Sequence, residues 1–387
     1  MNRPLKIALV VGEESGDQLA APLMEAIRVK HPDAEFYGVA GDRMLARGAR
    51  TVFPVSDVAV IGIGAVVKHL PRIFRRVREA VTAIVAWGPD ILVIIDSPGF
   101  THSVGERVAK RLPGLPIVDY VSPSVWAWKP WRAARMARFI DHVLALLPFE
   151  PEVHRRLGGP ACTYVGHPLI ERLNELRAAP GERRPLDEGP VLLVLPGSRR
   201  SEIERLMKPF GEALALIRRE ISGVRVVLPA VARLEAEIRA RAAEWSVQPE
   251  IVVGEAAKFA AFRQAHAALA ASGTVTLELG LAGVPMVVAY RVDPIARMLK
   301  RFLKVQSIVL ANLVVGENIA PEFLDEAGSP AVLAKETAAL LRNTPARRRQ
   351  LDGWRRLDEL MTFPPGEHPS EKAASIVLET LAAKRRT

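Results

Sequence analysis

A chain of 387 residues exceeds one comfortable hydrophobic core, and at about 100–200 residues per domain it predicts two domains. With 49% hydrophobic and 25% charged residues it is an ordinary globular protein, which excludes disorder and low complexity, while a single cysteine, Cys162, excludes an intrachain disulfide and fits a reducing cytoplasm. The excess of 53 Lys and Arg over 43 Asp and Glu, formally +10, favours an anionic partner: nucleic acid, an acidic lipid surface or a phosphorylated substrate.

The first apolar run, Ile7 to Val11, is too short for a secretory segment and reads as a strand. No stretch approaches the roughly 18 apolar residues of a membrane-spanning helix. Short β-branched runs then alternate with amphipathic stretches: Glu35–Val39, Ile91–Ile95, Ile117–Val121 and Val143–Leu147, with helical patterns such as Gln18–Lys30 and Pro71–Trp87 between them. A Pro- and Gly-bearing stretch interrupts the pattern, which restarts with Val191–Leu195, Val224–Pro229, Glu250–Val253, Ala267–Ala271 and Met286–Tyr290. Such alternation predicts an α/β protein of two tandem Rossmann-like, doubly wound domains, residues 1–173 and 190–387, joined by a linker at 174–189. The last helix is a candidate to pack back on the first domain. Ligands of such sheets sit at the carboxyl ends of the strands, so an interdomain cleft is the expected site.

The loops after those strands are the candidates. Gly12-Glu13-Glu14-Ser15-Gly16-Asp17 opens a helix whose free N–H groups suit an anion or sugar hydroxyls, and it matches neither the P-loop nor the dinucleotide spacing. The alternative is that Ser15 or Asp17 only caps the helix. Asp96, in Asp96-Ser97-Pro98-Gly99-Phe100, sits at the end of a parallel strand, where it is either a general base or a turn aspartate. Ser122-Pro123-Ser124-Val125-Trp126-Ala127-Trp128 begins a stretch holding three of the six tryptophans, Trp131 being the third. They suit an apolar or sugar-binding wall, or packing between domains. His167 is held in reserve, since a lone histidine is more often structural. In the second half, Gly197 permits close backbone approach, Ser198 offers a hydroxyl and Arg199 a forked cation for a diphosphate. Ser272-Gly273-Thr274 begins another helix, with Glu278 one turn inside and placed either for ribose hydroxyls or for the helix dipole.

Together with Gly38-Val39-Ala40-Gly41, Leu147-Pro148-Phe149-Glu150 and Asn312-Leu313, these segments resemble the lipid-A-disaccharide synthases, glycosyltransferases of the GT-B fold, over nearly the whole chain. The resemblance implies transfer of 2,3-diacylglucosamine from UDP to the 6-hydroxyl of 2,3-diacylglucosamine 1-phosphate, with inversion, giving a β-1,6 disaccharide 1-phosphate and UDP. It implies Asp96 as base and Arg199 as the cation for departing UDP. Gly197, Ser198, Ser272, Gly273, Thr274, Glu278 and Asn312 would hold the nucleotide, and Glu13, Ser15, Gly16, Asp17, Ser122, Trp126 and Trp128 the acceptor. No metal or other cofactor is expected. Family members reading Asp-Ala-Pro-Asp-Phe-Asn have a second acid where this chain has Gly99, so a single base, Asp96, is expected. Acylated substrates also give the basic charge a place. Val66, Leu70, Ile73, Phe74, Val77 and Val81 follow helical spacing beside Lys68, Arg72, Arg75, Arg76 and Arg78, either as a core helix with a basic face or as a segment lying on an anionic membrane. The lipid substrates favour the membrane, with Val66, Leu70, Arg72, Phe74, Arg75 and Arg76 facing it, and imply a peripheral place on the cytoplasmic face of the inner membrane. Residues Ile295 to Lys304 are a second such segment. Competing readings are a UDP-N-acetylglucosamine 2-epimerase, the peptidoglycan-precursor transferase and a non-catalytic UDP-binding membrane-surface protein. Nucleic-acid binding is disfavoured, because the basic residues interleave with aliphatic ones.

Overall fold

The structure, a computed structural model, describes residues 3–58, 63–291, 307–364 and 366–386, and of residues 63–69 the backbone alone. It divides into two compact units, Met1–Pro168 with Phe363–Thr387, and Leu169–Thr362.

The first unit runs β1 (Lys6–Val11), α1 (Glu14–Lys30), β2 (Glu35–Ala40), α2 (Asp42–Ala46), β3 (Arg50–Pro54), α3 (Ile63–Trp87), β4 (Ile91–Ile95), α4 (Thr101–Arg111), β5 (Ile117–Tyr120), α5 (Trp131–Met136), β6 (His142–Ala145), α6 (Glu150–Arg156) and β7 (Ala161–Tyr164). The strands form one parallel sheet in the order β3-β2-β1-β4-β5-β6-β7. Both faces are covered, which is why β1 and β4 are continuous aliphatic runs and not alternating ones. On one face Leu9, Val11, Val93 and Ile95 pack with Leu19, Leu23 and Ile27 of α1 and with Ala373, Val377 and Leu381. On the other, Ala8, Val10, Leu92 and Ile94 pack with Val77, Val81 and Ile84 of α3 and Val104 and Val108 of α4. The C-terminal helix Pro369–Lys384 is therefore part of this unit, and Lys384 on Asp141 (2.7 Å) and Arg385 on Asp90 (2.8 Å) tie its end down.

The second unit begins with the short α7 (Leu173–Leu176) and continues β8 (Val191–Leu195), α8 (Arg200–Glu220), β9 (Arg225–Ala230), α9 (Glu235–Ala242), β10 (Glu250–Val253), α10 (Glu255–Gln264), β11 (Ala267–Ala271), α11 (Val275–Leu281), β12 (Met286–Tyr290) and β13 (Glu322–Leu324). Its sheet is also parallel, in the order β10-β9-β8-β11-β12-β13. Residues 174–189, read from composition as a linker, belong to this unit. Arg177 donates to the Leu281 carbonyl (2.9 Å), and Arg183 reaches the carbonyls of Phe262 and Arg263 at the end of α10 and of Ala282 and Gly283 just past α11. Proline and glycine mark the absence of regular structure there, and the arginines supply the attachment. The edge strands β3 and β13 escaped the sequence pattern: β13 is three residues long, and β3 ends in Pro54, which an edge strand tolerates.

In each sheet the strand order reverses once, between β1 and β4 and between β8 and β11. Chain crossovers leave in opposite directions there and open a crevice at the strands' carboxyl ends. The loops after β1 and β4 flank one crevice, and those after β8 and β11 flank the other.

Candidate active site

The second unit holds a cavity of about 550 Å³ lined by Gly197, Ser198, Arg199, Glu202, Lys258, Ser272, Gly273, Thr274 and Glu278, among others. Strand β8 is buried along its whole length and delivers Pro196 to Arg199 at the mouth of α8. Gly197 stands at φ 115°, where a side chain would be strained and would strike Glu202. Glu202 organises the loop. Its Oε2 accepts the N–H groups of Ser198 (2.9 Å) and Arg199 (3.1 Å), and its Oε1 accepts Arg199 Nη1 (3.1 Å). Arg233 clamps the loop by donating to the Ser198 carbonyl (2.6 Å). The loop after β11 is held differently: Ser272 gives its hydroxyl to the Ile308 carbonyl (2.7 Å) and Thr276 gives its own to the Gly273 carbonyl (2.8 Å). Glu278 is gripped by Lys258 through both carboxylate oxygens (2.9 and 3.0 Å), and the ammonium group lies over the rings of Phe259 and Phe262. Neither Glu202 nor Lys258 was foreseen. Lys258 lies inside α10 in a helical stretch with no motif, so only the fold brings it to Glu278.

Asn312 does not join that cavity. It is buried and bonded within the fold: Oδ1 accepts the N–H groups of Ile319 (3.0 Å) and Ala320 (2.9 Å), while Nδ2 donates to Asn318 Oδ1 (2.7 Å) and the Ala320 carbonyl (2.9 Å). In this structure Asn312 braces residues 318–320.

In the first unit the β1 and β4 loops interlock. Asp96 and Ser97 both have positive φ, 56° and 44°, a costly conformation for residues with side chains, at the end of a fully buried strand. Ser15 Oγ donates to Asp96 Oδ2 (2.5 Å), the Ser97 N–H to Oδ1 (2.6 Å) and Thr101 Oγ1 to the Asp96 carbonyl (2.7 Å). Gly12 has no side chain where Ser97 approaches, and Gly16 lets α1 come close to the end of β4. Ser15, Gly16 and Asp96 thus meet at the end of β4. Glu13 is the exposed residue just before α1.

Asp17 is engaged within the fold. It is buried, and its carboxylate receives the N–H groups of Gly41 (3.1 Å), Arg43 (2.9 Å) and Met44 (3.1 Å), the orphan donors at the start of α2. An acid inside one helix caps another, which no local pattern announces.

Ser122 is also buried, bonded to His154 Nε2 (2.8 Å). Trp126 stands edge-on to Phe149, and its indole N–H reaches Glu150 Oε1 (3.2 Å), whose other oxygen takes the Leu147 N–H (3.0 Å). Burial pushes the Glu150 carboxyl up to about 7, the four N–H and O–H donors around it only partly opposing this. Trp128 is half-buried with Lys129 over its ring. His102, at the start of α4, is fixed by the buried Asp119 (2.9 Å). Loss of solvation pushes the His167 imidazole down to about 4, which keeps it neutral at neutral pH.

Helix α3 splits the predicted apolar face. Val77 and Val81 are core, whereas Leu70 and Phe74 are exposed at 38% and 54%, beside exposed Arg75 and Arg78. Arg76 points inward: it pairs with Asp57 and Glu79 and stacks on Phe53, and Arg72 also reaches Asp57 (2.5 Å). Val66 lies among the side chains outside the described set, and the segment Ile295 to Lys304 lies outside the described residues. Among the described residues no helix is long and apolar enough to cross a membrane.

The family model described as lipid-A-disaccharide synthetase matches residues 7–376. A lipid-A-disaccharide synthase of Nitrobacter hamburgensis is 53% identical over 99% of this chain and 98% of its own length. One from Bradyrhizobium diazoefficiens is 52% identical over 98% of each. Among solved structures, a UDP-N-acetylglucosamine 2-epimerase of Listeria monocytogenes aligns over 100% of this chain and 98% of its own at TM-score 0.61, with 15% identity, a likeness of fold alone.

Proposed function

The chain belongs to the lipid-A-disaccharide synthetase family and is a glycosyltransferase of the GT-B fold, and on that premise we propose how its residues divide the reaction. The donor is UDP-2,3-diacylglucosamine and the acceptor 2,3-diacylglucosamine 1-phosphate. The observation that carries this division is that each sheet's switch point presents different chemistry: cations and N–H-rich loops in the second unit, a positioned carboxylate in the first.

In the second unit the Ser198 hydroxyl, the Arg199 guanidinium and the start of α11 take the diphosphate, and Glu278 takes the ribose hydroxyls. For these contacts to form, Arg199 exchanges Glu202 for phosphate and Lys258 shares Glu278 with the sugar. In the first unit Asp96, oriented by Ser15 and the Ser97 N–H, accepts the proton of the acceptor's O6. The O6 lone pair forms the bond to C1 of the donor sugar from the face opposite UDP. The C1–O bond breaks, and its electrons leave on the diphosphate, whose added charge Arg199 stabilises. Attack from the opposite face converts an α-linked donor to a β-1,6 product. No metal is required, since the arginine and helix dipoles meet the leaving charge. Leu70, Phe74 and Arg75 suit the anionic cytoplasmic surface of the inner membrane, where both acylated substrates reside.

Mass spectrometry of products from the two acylated substrates tests this. The wild type is expected to form the disaccharide 1-phosphate and UDP, and Asp96→Ala and Arg199→Ala to form little. UDP-sugar turnover without the acylated acceptor would instead support an epimerase. Near-normal turnover by Asp96→Ala would remove Asp96 as the base.

A further inference from the structure

Beside the loop of Asp96, the first unit has a small cavity of about 120 Å³ lined by Pro98, His102, Glu106, Trp131, Arg132 and Arg135, among others. Its charges are unequally matched. Arg135 is paired with Glu106 (2.7 Å), which Lys110 also approaches (3.2 Å), and His102 is fixed on the buried Asp119 (2.9 Å). Arg132 is half-buried, and among the described residues its guanidinium makes no hydrogen bond or ion pair. Asp119 acts on it only through space, and burial outweighs that help, holding the guanidinium below its usual range. A cation kept partly from water without a bonded acid is costly, and a forked guanidinium in a pocket is suited to a tetrahedral oxyanion. Pro98 is two residues from Asp96 and His102 lies in the helix that the same loop begins, so the cavity and the base share one continuous segment, tied by the Thr101 hydroxyl to the Asp96 carbonyl.

We propose that Arg132 is the subsite for the phosphomonoester of the acceptor, with His102 and Trp131 as its walls. The inference rests on the acceptor's being a glucosamine 1-phosphate. In that sugar C1 and C5 flank the ring oxygen and C6 hangs from C5. A phosphate anchored beside Pro98 therefore fixes the ring so that O6 is directed along the same loop, and Arg132 acts as a specificity-determining and positioning residue. One charge-assisted contact of this kind corresponds to about a 10- to 100-fold preference.

The test compares 2,3-diacylglucosamine 1-phosphate with its 1-hydroxy counterpart as acceptors, in neutral detergent micelles, for the wild type, Arg132→Ala and Arg132→Lys. The wild type is expected to favour the phosphorylated acceptor by about 10- to 100-fold in kcat/KM. Arg132→Ala should lose most of that preference through acceptor KM, act on the 1-hydroxy acceptor as the wild type does, and bind UDP unchanged. Arg132→Lys should recover part of the preference. Equal loss on both acceptors, or an unaltered preference, would overturn the proposal while leaving the glycosyl transfer intact. A preference that appears only after anionic phospholipid is added would assign the cavity to a lipid headgroup and also overturn it. A wild type that makes disaccharide from neither acceptor would overturn the reaction itself.

Discussion

The carboxylate of Glu202 occupies the mouth of the loop that Arg199 serves, one oxygen accepting two backbone N–H groups and the other accepting the guanidinium at 3.1 Å. It is an internal anion where a diphosphate is expected. Replacing it by glutamine keeps an oxygen for the loop N–H groups but removes the negative charge that competes with phosphate. Glu202→Gln should therefore bind UDP about threefold more tightly, roughly 0.6 kcal/mol, the scale of an exposed ion pair. Isothermal titration checks this, and weaker binding would mean that the ion pair preorganises Arg199 instead of competing for it.

Ser15 gives the Asp96 carboxylate one of the two hydrogen bonds described for it and thereby its orientation. Ser15→Ala should lower kcat by about tenfold, the loss of one charge-assisted hydrogen bond, with donor affinity unchanged. Gly12→Ala should do more, because its new methyl meets Ser97 and displaces the strained turn. Steady-state kinetics beside UDP titration separates these losses from misfolding.

Glu150 is an acid whose folded pKa, about 7, lies above its ordinary value of 4.5 because of burial. The folded state thus holds this proton more tightly than the unfolded chain. Stability is fully present below about pH 4.5 as far as this group is concerned, and is lost as pH rises from there through about 7, by at most about 3 kcal/mol. Glu150→Gln should flatten the dependence of urea stability on pH between those limits while keeping an acceptor for the Trp126 indole. An unaltered slope would show that Glu150 is not its source.

On α3 the burial pattern separates binding from folding. Replacing Leu70 and Phe74 by serine should weaken binding to anionic vesicles by about 2–3 kcal/mol, from their apolar surface, with little change in melting temperature. Arg76→Glu should lower the melting temperature, since Asp57, Glu79 and the Phe53 ring lose their cation. Vesicle sedimentation and thermal unfolding distinguish them, and unchanged sedimentation of the serine variant would remove α3 as the membrane face.

What the sequence determined by itself is what repeats locally. Aliphatic runs separated by amphipathic stretches dictate parallel strands and covering helices, and the small residues after Val11, Ile95, Leu195 and Ala271 mark where the chain turns at strand ends. The segment Ser122 to Trp128 carried the family resemblance without any structure. What only the tertiary structure decided is which partner each polar group meets. Asp17 finds the start of α2 24 to 27 residues on, Lys258 finds Glu278 20 residues on, and Asn312 turns back on 318–320, while Arg132 is left without an acid among the described residues. Hydrophobic pattern constrains the face on which a side chain lies, because burial depends on helical or strand period. A hydrogen bond or ion pair depends on a few tenths of an ångström between segments that only the packed sheet brings together.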